Sequence, residues 1–216
     1  MFTNHQPCIG EYAQSGPDGF EHVFQFVIAT IQQPIEATPA IVQGFQHEGS
    51  ESRDAWGMKG EALDWMASEK RWLYGYAMEA YNIMRYSAGC SRRMVQHFAN
   101  YKGLGLVKGG FMAQLCFGVG GCIDSHNISR FSVPPRQFSA SRYKSLKTAE
   151  SREILATQYC NVIKDQGGCE VLWDGWCDFV AARRPEIFEN GGYDVSALHC
   201  TALGLWPDNY GKDIPF

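Results

Sequence analysis

The stretch SRRMVQHFANYKGLGLVKGGFMAQLCFGVGGCIDSHNISRF, residues 91–131, decides the fold. Met94, Val95 and Phe98 share one face of a short helix that Ser91 is placed to cap. A tight turn over Lys102-Gly103-Leu104-Gly105 follows, then a glycine-bearing apolar helix over about residues 106–117. A turn of this kind lets backbone N–H groups point outward where the positive end of the second helix dipole lies, which makes a phosphate-sized anion site. The small Gly109 and Gly110 let another element approach the second helix closely.

The same helical period extends outward in both directions. Phe20, Val23, Phe24, Val27, Ile28 and Ile31 follow one helical face, with Asp18 and Glu21 spaced as a capping box and Pro34 as a stop. Residues 39–52 form a looser segment ending in polar residues. Residues 61–87 are helix-compatible along a stripe of Leu63, Met66, Leu73, Ala77, Ala80 and Met84, which Gly75 is placed to interrupt. Pro134 and Pro135 predict an extended run over residues 131–139. Helix resumes over residues 141–164 and again over 169–182, separated by Gly167 and Gly168. From Arg183 the chain reads as a tail rich in glycine and proline. No strand hairpin, internal repeat or low-complexity tract interrupts this pattern. The expectation is an all-α chain, one domain over residues 1–216, bilobal around a shared core.

Charge is unevenly spread. The net charge is −4, yet residues 91–152 hold ten bases and two acids, Asp124 and Glu150, whereas residues 1–52 hold six acids and no Lys or Arg. A basic segment inside an acidic chain is the footprint of a phosphate binder. With 45% hydrophobic and 19% charged residues, a disordered chain and a charged coiled coil are excluded. The eight cysteines show no CxxC spacing, and the first residues lack a basic start and an apolar run. Reduced, mostly buried thiols in a cytoplasmic protein are expected, with no metal and no cofactor. No apolar run reaches the roughly 18 residues of a membrane span.

Residues 91–131 also resemble the helix-hairpin-helix DNA glycosylase superfamily, which includes the endonuclease III-like enzymes. FANYKGLGLVK resembles the family's hairpin, FMAQLCFG its apolar helix and CIDSHNISRF its aspartate motif, though the hairpin has no proline and carries one additional residue before Lys108. The resemblance implies DNA as partner, no membrane, and a flipped base as the reacting group. It implies Lys108 as nucleophile, Asp124 as the essential carboxylate, and Lys102, Gly103, Gly105, His126 and Arg130 as DNA-binding residues. No cysteine cluster matches the iron–sulfur site of endonuclease III, so no such cluster is expected. The chain is similar too to the phage glutamyl/putrescinyl thymine pyrophosphorylase branch, which would replace base excision by substitution on an activated thymine. A non-catalytic DNA-binding module and a virion structural protein are the readings from other classes.

Outside this stretch the signals are weaker. Trp173, Trp176, Tyr143 and Tyr159 suit base stacking, but core packing is the default, as it is for Trp65, Trp72, Tyr74 and Tyr76. His5, His22, His47, His97 and His199 show no metal-ligand spacing, and His199-Cys200 alone is weak evidence for a nucleophile.

Overall fold

The computed structural model describes residues 6–34, 37–183, 185, 200 and 203–205. Among them are ten α-helices and no strand: α1 (Gln6–Gln14), α2 (Pro17–Ala29), α3 (Thr38–Glu48), α4 (Met58–Met84), α5 (Cys90–Ala99), α6 (Leu106–Phe117), α7 (Ser125–Arg130), α8 (Ala140–Ser145), α9 (Ala149–Asp165) and α10 (Cys169–Arg183). A 3₁₀ turn, Gly49–Glu51, joins α3 towards α4. The all-α class holds. Nearly all of the expected tail, including His199, lies outside the described residues, as does His5.

One hydrophobic cluster runs through the molecule, from Ile9 of α1 to Leu203. Its centre is α2, which is buried almost all round from Gly19 to Ala29, as expected of a helix without a polar face. Pairing of α5 with α6 is the most extensive helix contact, and α2 packs on α1, α3, α4 and α6. Gly109 and Gly110 permit the close packing read from the sequence. A Cβ on Gly109 would lie 2.5 Å from the Ala99 backbone nitrogen, and one on Gly110 would overlap the Gly121 carbonyl and the Tyr159 ring.

Several local readings are corrected. The Asp18/Glu21 capping box does not form, because Pro17 occupies the first helical turn and Gly16 becomes the N-cap. Asp18 and Glu21 instead grip Lys70 of α4 at 2.7 and 2.8 Å. Ser91 does not cap α5, which starts at Cys90 with Gly89 as N-cap. Residues 39–48 are regular helix, and α4 passes through Gly75 unbroken for 27 residues. Residues 131–139 are a string of turns, with Ser132 at φ 53° and Arg136 at φ 69°; the prolines forbid helix without imposing extension. Trp72 and Tyr76 are exposed and stack on each other, 5.3 Å apart at 16°, since they fall outside the stripe of α4 that Leu73 and Ala77 bury.

Candidate functional site

The site is built on the loop between α6 and α7. Gly118 caps α6 in the left-handed region at φ 64°, its N–H donating to the Gln114 carbonyl at 3.0 Å. The loop then runs over the fully buried Tyr159 of α9. The Tyr159 hydroxyl donates to the Gly121 carbonyl at 2.6 Å and accepts from the Ile123 N–H at 3.0 Å. Those two bonds fix the approach to Asp124.

Asp124 is the N-cap of α7, its Oδ1 accepting from the Asn127 N–H at 2.9 Å. Its other oxygen, Oδ2, accepts from the indole N–H of Trp176 at 2.9 Å, which ties α10 to α7. Asn127 is buried and extends the brace. Its Nδ2 donates to the Cys122 carbonyl at 2.7 Å, and its Oδ1 accepts from Arg130 at 2.7 Å. Arg130 lies over the rings of Phe131 and Phe179, at 5.0 and 5.8 Å, in space left by Gly175. His126 meets Phe179 edge-on at 5.7 Å.

A cavity of about 570 Å³ opens beside this brace, within the range of small-ligand sites. Phe111, Trp173, Trp176 and Val180 form its apolar wall, and Asp124, His126, Thr30 and Gln114 place polar groups on it. Each carboxylate oxygen of Asp124 accepts one protein donor, so each keeps a further acceptor direction for a ligand or water. The Cys122 thiol also reaches the lining. Burial pushes it up to about 12, which keeps it protonated and removes it as a nucleophile.

The structure thus brings together Asp124, His126 and Arg130 on α7, but distributes the other sequence-predicted residues. Lys108 stands in the first turn of α6, where its amine donates to Thr30 Oγ1 at 2.8 Å and lies 5.4 Å over the Phe111 ring. It thereby contacts two residues of the cavity wall but makes no ion pair with Asp124 among the described residues. Lys102 is exposed and pairs with Glu61 of α4 at 3.3 Å. Gly103 and Gly105 are buried: a Cβ on the first would meet Ala62 and Ile28, and one on the second would meet Ala140. The turn glycines therefore seat α4 and α8 at these two positions. Arg130 is folded against α10 and serves the brace.

Two residues of the site carry no decisive sign in the sequence. Trp176 suits core or stacking equally there, and its role as indole donor to Asp124 depends on the packing of α10 on α7. Thr30, the partner of Lys108, gave no signal. Lys59 is 3% exposed, and its amine has no hydrogen-bond partner among the described residues. Burial lowers its proton affinity, against the opposing attraction of Asp54, and the charge of nearby Lys108 lowers it further. Among the described residues no cluster of His, Cys, Asp and Glu is placed to hold a metal ion, and no helix is long and apolar enough to cross a membrane. Compared with models of protein families, with curated proteins and with solved structures, the chain matches none of them.

Proposed function

We propose that the cavity receives a nucleobase extruded from DNA and that Asp124 is the carboxylate supporting cleavage of the bond between that base and its sugar. The observation that carries this reading is the placement of the Asp124 carboxylate on the wall of an aromatic-lined cavity, oriented by donors from two helices. A flat heterocycle suits a cavity lined by Phe111, Trp173 and Trp176. Water is the nucleophile that the arrangement favours. It adds to the sugar C1′ as the C1′–N bond breaks, the leaving base takes up a proton from bulk water, and Asp124 accepts the proton of the attacking water, later releasing it to solvent, and faces the positive charge that develops on the sugar. The Lys108 amine is committed to Thr30, so a Schiff-base route requires that bond to break first.

The capping bond from Asp124 to Asn127 favours a second reading, in which Asp124 is structural and the chain only binds DNA. Asp124→Asn separates the two with Trp176→Phe as its control: Asn keeps the cap but sets its NH2 against the Trp176 indole N–H, and Trp176→Phe loses that same bond with the carboxylate intact. A panel of duplexes, each with one damaged or modified base, is assayed for base release. In the enzymatic reading the variant folds normally, binds DNA equally or more tightly, and loses about three decades in rate, roughly 4 kcal/mol. Wild-type turnover by Asp124→Asn on a processed substrate rules out a catalytic Asp124. Borohydride trapping then tests Lys108: an adduct lost in Lys108→Ala establishes the lyase route, and turnover without an adduct establishes direct hydrolysis.

A further inference from the structure

The ten bases of residues 91–152 do not form one free surface. Arg92 pairs with Glu153 at 2.8 Å and Lys102 with Glu61, while Lys108 is held by Thr30 and Arg130 by Asn127. Arg152 donates to the Leu146 carbonyl and lies over Tyr143. Of the remaining five, Arg136, Arg142, Lys144 and Lys147 fall within twelve residues, and all four are exposed. None of the four has an ion-pair partner among the described residues. No acid occurs between Asp124 and Glu150. The surface is therefore strongly positive on a chain whose net charge is −4.

This surface is also rigidly built. Arg136 holds a left-handed backbone, φ 69°, that a non-glycine residue adopts at a cost. Hydrogen bonds from Gln137 N–H to the Pro134 carbonyl and from Ser139 N–H to the Arg136 carbonyl, both 3.1 Å, close the turn around it. Phe138 and Tyr143 anchor the segment in the core, Phe138 edge-on to Tyr159 at 5.1 Å. Between these anchors lies an open groove of about 600 Å³, in which Arg136 and Arg142 alternate with Ser139, Ser141 and Ser145. Guanidinium donors in a shallow groove suit phosphate oxygens, which accept without reading sequence; the Ser145 hydroxyl is spent on the Arg142 carbonyl, and Ser139 and Ser141 bond each other.

We infer that residues 131–139 and α8 form the surface on which the phosphodiester backbone of DNA rests. The inference builds on the DNA reading above and moves the backbone contact away from the turn between α5 and α6. Its link to the cavity is α6: Ala140 of α8 sits on Gly105 at the start of that helix, and Phe111 of the same helix lines the cavity. Six residues of helix span about 9 Å. The groove and the cavity are thus joined through one helix, α6.

The test is anisotropy of a labelled 24-base-pair duplex titrated with the full chain at several KCl concentrations. The double variant Arg136→Gly/Arg142→Glu keeps the left-handed turn accessible and removes both groove guanidiniums. It is expected to bind at least tenfold more weakly at low salt and to lower the log–log salt slope by about 2. The charge reversal Arg71→Glu on exposed α4 is expected to leave both unchanged. If the wild type binds and the double variant, with an unchanged melting temperature, binds equally well, this surface is wrong and the cavity reading survives. If the wild type binds no duplex at low salt, the surface and the DNA reading fall together. If millimolar inorganic phosphate at constant ionic strength displaces the duplex completely, the groove is a small-anion site and the inference is overturned.

Discussion

At the scale of single residues, burial decides which polar groups act and which merely cost stability. The Lys59 amine is enclosed without a hydrogen-bond partner, and an unsatisfied buried ammonium is unfavourable. Lys59→Met retains the stem volume and removes the amine; urea unfolding is expected to show a gain of about 1 kcal/mol. His97 behaves in the opposite sense to a paired histidine. Burial lowers its imidazole to about 4 from an ordinary 6.5, and its ring bonds Tyr101 at 3.0 Å. The unfolded chain therefore binds the proton more readily than the folded one between those values. The contribution of His97 is intact above pH 6.5 and is lost progressively as pH falls towards 4, by up to about 3 kcal/mol. His97→Gln is expected to flatten that part of the stability profile, read as unfolding midpoints at pH 7 and pH 4.5. A profile of unchanged slope would show that another group is responsible.

Among elements, two glycines of opposite meaning make the point. Gly75 lies exposed in the middle of α4 with open space where a Cβ would stand. Gly75→Ala is expected to raise stability by about 0.5–1 kcal/mol through helix propensity alone. Gly110 faces the Gly121 carbonyl and Tyr159 across the narrowest packing of α6. Backbone cannot yield as a flexible side chain can, so Gly110→Ala is expected to destabilise by about 1–3 kcal/mol. It should also displace the loop that carries Asp124. Calorimetry on the two variants checks both signs, and a neutral Gly110→Ala would deny the close packing of α6 against that loop.

For the whole molecule, a single core and the burial of its thiols set the behaviour. Five of the eight cysteines are buried, and Cys8 is the exposed one. Burial holds Cys160 and Cys169 as thiols, each pushed up to about 12. Brief native alkylation read by mass spectrometry is expected to label Cys8 first, with full labelling only after unfolding. Rapid native labelling of Cys116 or Cys177 would contradict the enclosed core.

Helical period, prolines and glycines by themselves determined the all-α class and the positions of α2, α6 and α10, because each depends on neighbours a few residues away; the run read as one helix over residues 141–164 is instead broken at 146–148 into α8 and α9. The sequence also picked out Asp124 as a candidate. What it could not supply was the partner of each group. The pairing of Asp18 and Glu21 with Lys70, of Lys108 with Thr30, and of Asp124 with Trp176 joins residues 49 to 78 positions apart. Those contacts exist only once the helices pack. Only the tertiary structure decided that Lys108 turns to Thr30, that the turn glycines are enclosed, and that Arg136, Arg142, Lys144 and Lys147 are left exposed. The reason is physical: a charged side chain's role follows from what is buried beside it, and burial is a property of the assembled core rather than of local spacing.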